Sequence, residues 1–126
     1  MYSPDKGKTG LKRIFNAWGY SLAGFKAAYQ NEAAFRQVTW MSIVLIPVTF
    51  FLPVSPVEQA MMIFVCLFSV VVELLNSAIE NVVDRISLER HELSKRAKDM
   101  GSAAQFIALL IVFFTWVIIL GHKFIN

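Results

Sequence analysis

Cysteine occurs once in the 126 residues, proline four times and glycine six times, and only 17% of the chain is charged. The single cysteine, Cys66, lies inside an apolar run, which excludes an intramolecular disulfide and a cysteine metal centre. The few glycines form no GxxxxGK[ST] loop and no kinase-type glycine-rich loop, and HRD and DFG motifs are missing. "GKTGLKR" is only a fragment of a phosphate loop, without the first glycine or a preceding strand. No cleavable signal is expected, because "MYSPDKGKTG" is polar and no short apolar segment with a cleavage site follows. The scarcity of charge tells against a small soluble domain. Such a domain buries too little of its surface to hide a composition that is 56% hydrophobic and 13% aromatic. A chain this apolar does not suit nucleic acid either.

Apolar residues dominate, in three runs. Before them, residues 1–9 read as a polar tail. Leu11, Ile14, Phe15, Trp18, Leu22, Phe25 and Tyr29 then fall at helical spacing, flanked by Lys12, Arg13 and Lys26. This pattern predicts an amphipathic helix over 10–31 lying in a membrane interface. The runs at about 33–52, 57–86 and 100–121 predict three membrane-spanning helices. Pro47 is tolerable within the first of them. "PVSPVEQ" turns the chain after it, and a polar loop, Ser87 to Asp99, is expected before the third. The small residues Gly101, Ser102, Ala103 and Ala104 open that third span and would let helices approach closely. The fold class expected is an all-α membrane protein, one embedded domain over 1–126.

Charge placement gives an orientation. All Lys and Arg except Lys123 lie in the N-terminal block or between Arg85 and Lys98, while the first turn holds none and carries Glu58. The positive-inside rule then predicts a cytoplasmic N-terminus and an outward C-terminus. Trp18, Trp40, Trp116, Tyr20 and Tyr29 suit interfacial positions.

The unusual stretch is "VVVELLNSAIENVVDRI", Val70 to Ile86, a span that carries three carboxylates and an amide. At 100° per residue, Glu73, Asn76, Glu80 and Asp84 fall at about 0°, −60°, −20° and +20°, a single polar stripe. Ionisable groups near a bilayer are costly and usually face protein or an aqueous cleft. Glu32, Arg13, Lys98 and Asp99 are expected at the same depth. Carboxylates suit Mg²⁺, basic residues suit phosphates, and a carboxylate near lipid can serve as a general base. From spacing alone, phosphoryl transfer at a membrane surface, an ion or proton pathway, and hydrogen-bonded helix glue all remain open.

"NEAAFRQ" (31–37), "VELLNSAIENVVDRI" (72–86) and "HELSKRAKDMGSAA" (91–104) resemble the signature segments of the bacterial integral-membrane diacylglycerol kinases, in the same order and over nearly the whole chain. The resemblance implies a homotrimeric helical kinase of the bacterial inner membrane, with sites shared between protomers. It would transfer the γ-phosphate of ATP to diacylglycerol with Mg²⁺, giving phosphatidic acid. Glu73 is then implied as the base, with Asn76 orienting groups beside it, and Glu32 and Glu80 as the residues holding Mg²⁺ with the nucleotide phosphates. Arg13, Tyr20, Glu89, His91, Lys98 and Asp99 would contact ATP. Ser21, Ala34, Phe35, Arg36, Gln37, Ser102 and Trp116 would line the lipid site with Glu73. A related branch phosphorylates undecaprenol by the same carboxylate logic; the extended match favours diacylglycerol.

Overall fold

The computed structural model describes residues 10–125. Within them the chain is mostly helical: α1 is Leu11–Asn31, α2 Ala33–Val48, α3 Pro56–Ile86 and α4 Glu92–Ile125, with a 3₁₀ turn at Thr49–Phe51 after α2 and irregular connections at 52–55 and 87–91. The tail at 1–9, with Lys6 and Lys8, lies outside the described residues. Three segments are long and apolar enough to cross a membrane: Ala33–Phe51, Pro56–Ile86 and Glu92–Ile125. The 31 residues of α3 extend about 45 Å at 1.5 Å per residue, more than the roughly 30 Å of hydrocarbon. One end of α3 therefore emerges into the interface, and the carboxylates lie toward that end.

Local chemistry explains the ends. Pro47 removes a backbone donor from the last turn of α2, and the chain tightens into the 3₁₀ turn, where the Thr49 hydroxyl donates to the Ile46 carbonyl at 2.7 Å. A capping box opens α3: the Glu58 amide donates to Ser55 Oγ at 3.2 Å, and the Ser55 amide donates to Glu58 Oε1 at 2.8 Å. Glu58 also pairs with Lys123 at 3.0 Å, tying the start of α3 to the end of α4.

One boundary departs from the sequence reading. Glu92–Asp99, assigned there to a loop, forms the first turns of α4. Two ion pairs at helical spacing support it, Arg96 on Glu92 at 2.8 Å and Lys95 on Asp99 at 2.7 Å. His91 precedes the helix, and its Nδ1 accepts the Leu93 amide at 3.1 Å, a capping bond.

Helix α3 is central. It packs against α4 and, less extensively, α2, whereas α1 packs chiefly on α2. Met62, Val65, Cys66, Val112, Trp116 and Ile119 form the apolar core, in the half of the bundle remote from the carboxylates. Trp116 Nε1 donates to the Met62 carbonyl there at 3.3 Å. Outside this core the surface is apolar: Phe50, Phe64, Phe113 and Ile118 all stand exposed. That surface is affordable only against lipid or other protein.

Candidate functional site

The polar stripe of α3 forms a gradient of burial. Glu73 is 3% exposed and Asn76 7%, Glu80 is half-buried, and Asp84 is exposed at the helix end. Asn76 stands beside Glu73, three residues on along the same buried face of α3. Enclosure there comes from both neighbours. Phe35 on α2 is 3% exposed. On α4, Gly101 sits against Asn76 so closely that a Cβ would collide with Asn76 Oδ1. No other residue could occupy position 101 without moving Asn76.

Beyond the stripe lies an open cleft of about 370 Å³, between the end of α3 and the first turns of α4. Asp84, Glu89, Arg90, His91, Lys95, Lys98 and Asp99 are among the residues that line it. Glu89, His91, Lys98 and Asp99 were each singled out from sequence, and the fold brings them together. Lys98 Nζ pairs with Asp84 Oδ1 at 2.6 Å, and Lys95 Nζ with Asp99 Oδ2 at 2.7 Å. Both pairs are exposed to solvent and therefore weak, so a phosphate can compete for either ammonium.

Glu32 occupies the break between α1 and α2, in extended backbone (φ −123°, ψ 107°). Burial raises its pKa above the ordinary carboxylate value, and the negative charges of Glu80 and Asp84 push the same way. That electrostatic coupling places Glu32 beside the stripe. Among the described residues, no group of three His, Cys, Asp or Glu side chains could hold a metal. The donor set nevertheless fits Mg²⁺, which commonly takes one or two carboxylates and completes its shell with water and substrate phosphates.

Other expected residues lie elsewhere. Arg13 and Tyr20 are on α1, whose packing is chiefly with α2. The Ser21 hydroxyl donates to the Ala17 carbonyl at 3.0 Å. Ala34, Gln37 and Ser102 are exposed. Arg36 Nη1 donates to the Tyr29 carbonyl at 2.7 Å. Trp116 is level with Met62, eleven residues along α3 from Glu73, or about 16 Å at 1.5 Å per residue. The sequence reading gave Asp84 no role of its own, although its place on the stripe, four residues past Glu80, was the available signal. It passed over Gln105 entirely. Gln105 is one turn beyond Gly101 on the buried face of α4, 8% exposed, with neither amide atom paired.

Comparison with known proteins fits this geometry. The prokaryotic diacylglycerol kinase family matches residues 19–120. A diacylglycerol kinase of Pseudomonas aeruginosa is 67% identical over 118 residues, covering 94% of this chain and 96% of the relative. That of Haemophilus influenzae is 54% identical over 108 residues, covering 86% and 92%. That of Escherichia coli K12 is 47% identical over 116 residues, covering 92% and 95%. With two of the signature segments on the α3 stripe and its facing cleft, the third at the break between α1 and α2, and identity extending over most of both chains, this protein belongs to the prokaryotic diacylglycerol kinase family.

Proposed function

We propose that the protein transfers the γ-phosphate of ATP to the free hydroxyl of diacylglycerol, with Mg²⁺, giving phosphatidic acid and ADP. The observation that carries this reading is the burial gradient on α3. One helix runs from an enclosed carboxylate, Glu73, through Glu80 to a basic cleft at Asp84 and Lys98. A lipid hydroxyl and a water-soluble nucleotide must meet between those two environments.

Glu73 accepts the proton of the lipid hydroxyl as its oxygen attacks the γ-phosphorus, and the bond to the β-phosphate oxygen breaks to release ADP. Asn76 holds the Glu73 carboxylate in position. Lys98, released from Asp84, and Lys95 meet the phosphate charge, and Glu89, His91 and Asp99 border the same cleft. Glu32 and Glu80 are the carboxylates that would hold Mg²⁺, which would supply positive charge to the phosphates. The active form is a homotrimer with sites shared between protomers, and Arg13 and Tyr20 contact the nucleotide. Ser21, Ala34, Phe35, Arg36, Gln37, Ser102 and Trp116 border the lipid. The chain lies in the inner membrane with the basic cleft on the cytoplasmic side and the C-terminus outside. Cysteine labelling at Ser55 and Ser94 in a Cys66→Ala background tests that orientation; a membrane-impermeant reagent reaching position 94 first from outside would refute it.

An ion or proton pathway through the same carboxylates is disfavoured, because the stripe's carboxylates stop at Glu73. Beyond them the core is Met62, Val65, Cys66, Val112, Trp116 and Ile119. The direct experiment presents purified protein and labelled ATP with micellar diacylglycerol or undecaprenol. Labelled phosphatidic acid, made faster than undecaprenyl phosphate, supports the proposal; label on neither lipid would overturn it.

A further inference from the structure

A helix leaves the carbonyls of its last four residues without intrahelical donors. At the end of α1, three of those carbonyls are accounted for. The Ala28 carbonyl accepts the Glu32 amide at 2.9 Å. The Tyr29 carbonyl accepts Arg36 Nη1 at 2.7 Å, and the Gln30 carbonyl accepts the same nitrogen at 3.4 Å. One turn inside the end, Asn31 Nδ2 donates to the Ala27 carbonyl at 2.8 Å. Arg36 belongs to the next helix, so its guanidinium spans the break. A second tie lies beside it: Trp40 Nε1 of α2 donates to the Tyr29 hydroxyl at 3.1 Å.

We propose that Arg36 is a positioning residue that clasps the end of α1 to α2 and thereby holds Glu32, the residue at the break, against the stripe of α3. Glu32 is the only residue between the two helices, and its carbonyl accepts the Arg36 amide at 3.2 Å. Its backbone conformation is therefore set by the angle between α1 and α2. Glu32 lies close enough to Glu80 and Asp84 for their charges to act on it, and a fixed elbow would keep it there. The clasp does so through backbone acceptors, with a cation placed at the negative end of the α1 dipole. Neither glycine nor proline shapes this elbow; the sequence around it is "YQNEAAFRQ". Arg36 thus acts through Glu32.

The inference has a geometric half, the clasp, and a functional half that rests on Glu32 as a Mg²⁺ carboxylate. The test measures both on the full-length protein. Spin labels at positions 22 and 44, exposed on α1 and α2, report the elbow angle in a Cys66→Ala background. Arg36→Met keeps the apolar stem and removes the donors. It should broaden the 22–44 distance distribution and raise the Mg²⁺ half-saturation roughly tenfold. Arg36→Lys, which retains a cationic donor, should restore part of both. An unchanged distance distribution overturns the clasp. An unchanged Mg²⁺ requirement overturns the action through Glu32. Glu32→Gln in parallel separates the two readings. If it leaves the Mg²⁺ requirement intact, the metal assignment fails and the functional half falls with it, while the distance distribution still decides the clasp.

Discussion

Gly101→Ala is the smallest change that tests the packing of α3 against α4. The added Cβ would overlap Asn76 Oδ1 and lie 3.1 Å from Asn76 Cγ. Both residues are buried, and the Asn76 oxygen has no bonded partner to hold it in place. The Asn76 side chain must therefore turn away or the helices must separate. Overpacking a core costs about 1–3 kcal/mol, and replacing glycine by alanine in a helix returns about 1 kcal/mol. The expected net loss of stability is about 0–2 kcal/mol, small enough for the protein to stay folded. Activity should suffer more, because the group displaced is the one beside Glu73; we expect turnover to fall by about 10- to 100-fold. Thermal unfolding in detergent and turnover in mixed micelles measure the two effects. The double variant Gly101→Ala/Asn76→Ala removes the clash, so it should regain stability without regaining turnover. Full turnover in Gly101→Ala alone would refute the close approach or the importance of Asn76.

Two further outcomes follow from the cleft and from Glu32. Lys98→Met should raise KM for ATP by about 10-fold or more, whereas Asp84→Asn, which frees Lys98 from its pair, should leave that KM unchanged or lower it; steady-state kinetics against ATP decide, and equal losses in both variants would mean that the pair itself is required. The raised pKa of Glu32 means that the group takes up a proton at higher pH than a free carboxylate. As the proposed Mg²⁺ carboxylate, Glu32 would take protons in competition with the ion, so the Mg²⁺ half-saturation should climb as pH falls, starting above the ordinary carboxylate range. Glu32→Gln should remove the part of that dependence due to Glu32; a profile identical to wild type would refute the assignment.

The all-helical membrane fold was legible because it rests on local pattern. Apolar runs long enough to span, and a 3.6-residue period in α1, are properties of contiguous sequence. The stripe Glu73–Asn76–Glu80–Asp84 was readable for the same reason, since one helix fixes its geometry. Register between helices was not. The small residues at 101–104 signalled a close approach, but nothing local said that Gly101 would meet Asn76. The first turns of α4 were hidden by their charge: Glu92, Lys95, Arg96 and Asp99 read as a solvated loop until paired at four-residue spacing. A seam near Glu32 could be drawn where an amphipathic pattern gives way to an apolar run. The clasp across it could not, because Arg36 reaches back seven residues to a backbone carbonyl, a contact with no side-chain partner in the sequence.

The central claim is that Glu73 is the base, and Glu73→Gln tests it most directly. The substitution keeps the side chain's size and its ability to accept from Asn76, while removing a charge that the burial of Glu73 makes costly. A base acts mainly in the transition state, and general-base catalysis is typically worth about 10²- to 10⁴-fold. On one preparation, nucleotide binding is measured by calorimetry and turnover in mixed micelles. The account predicts near-normal ATP affinity and an assembled protein with turnover reduced at least about 100-fold. Turnover within about threefold of wild type, or ATP binding lost together with turnover, would contradict it.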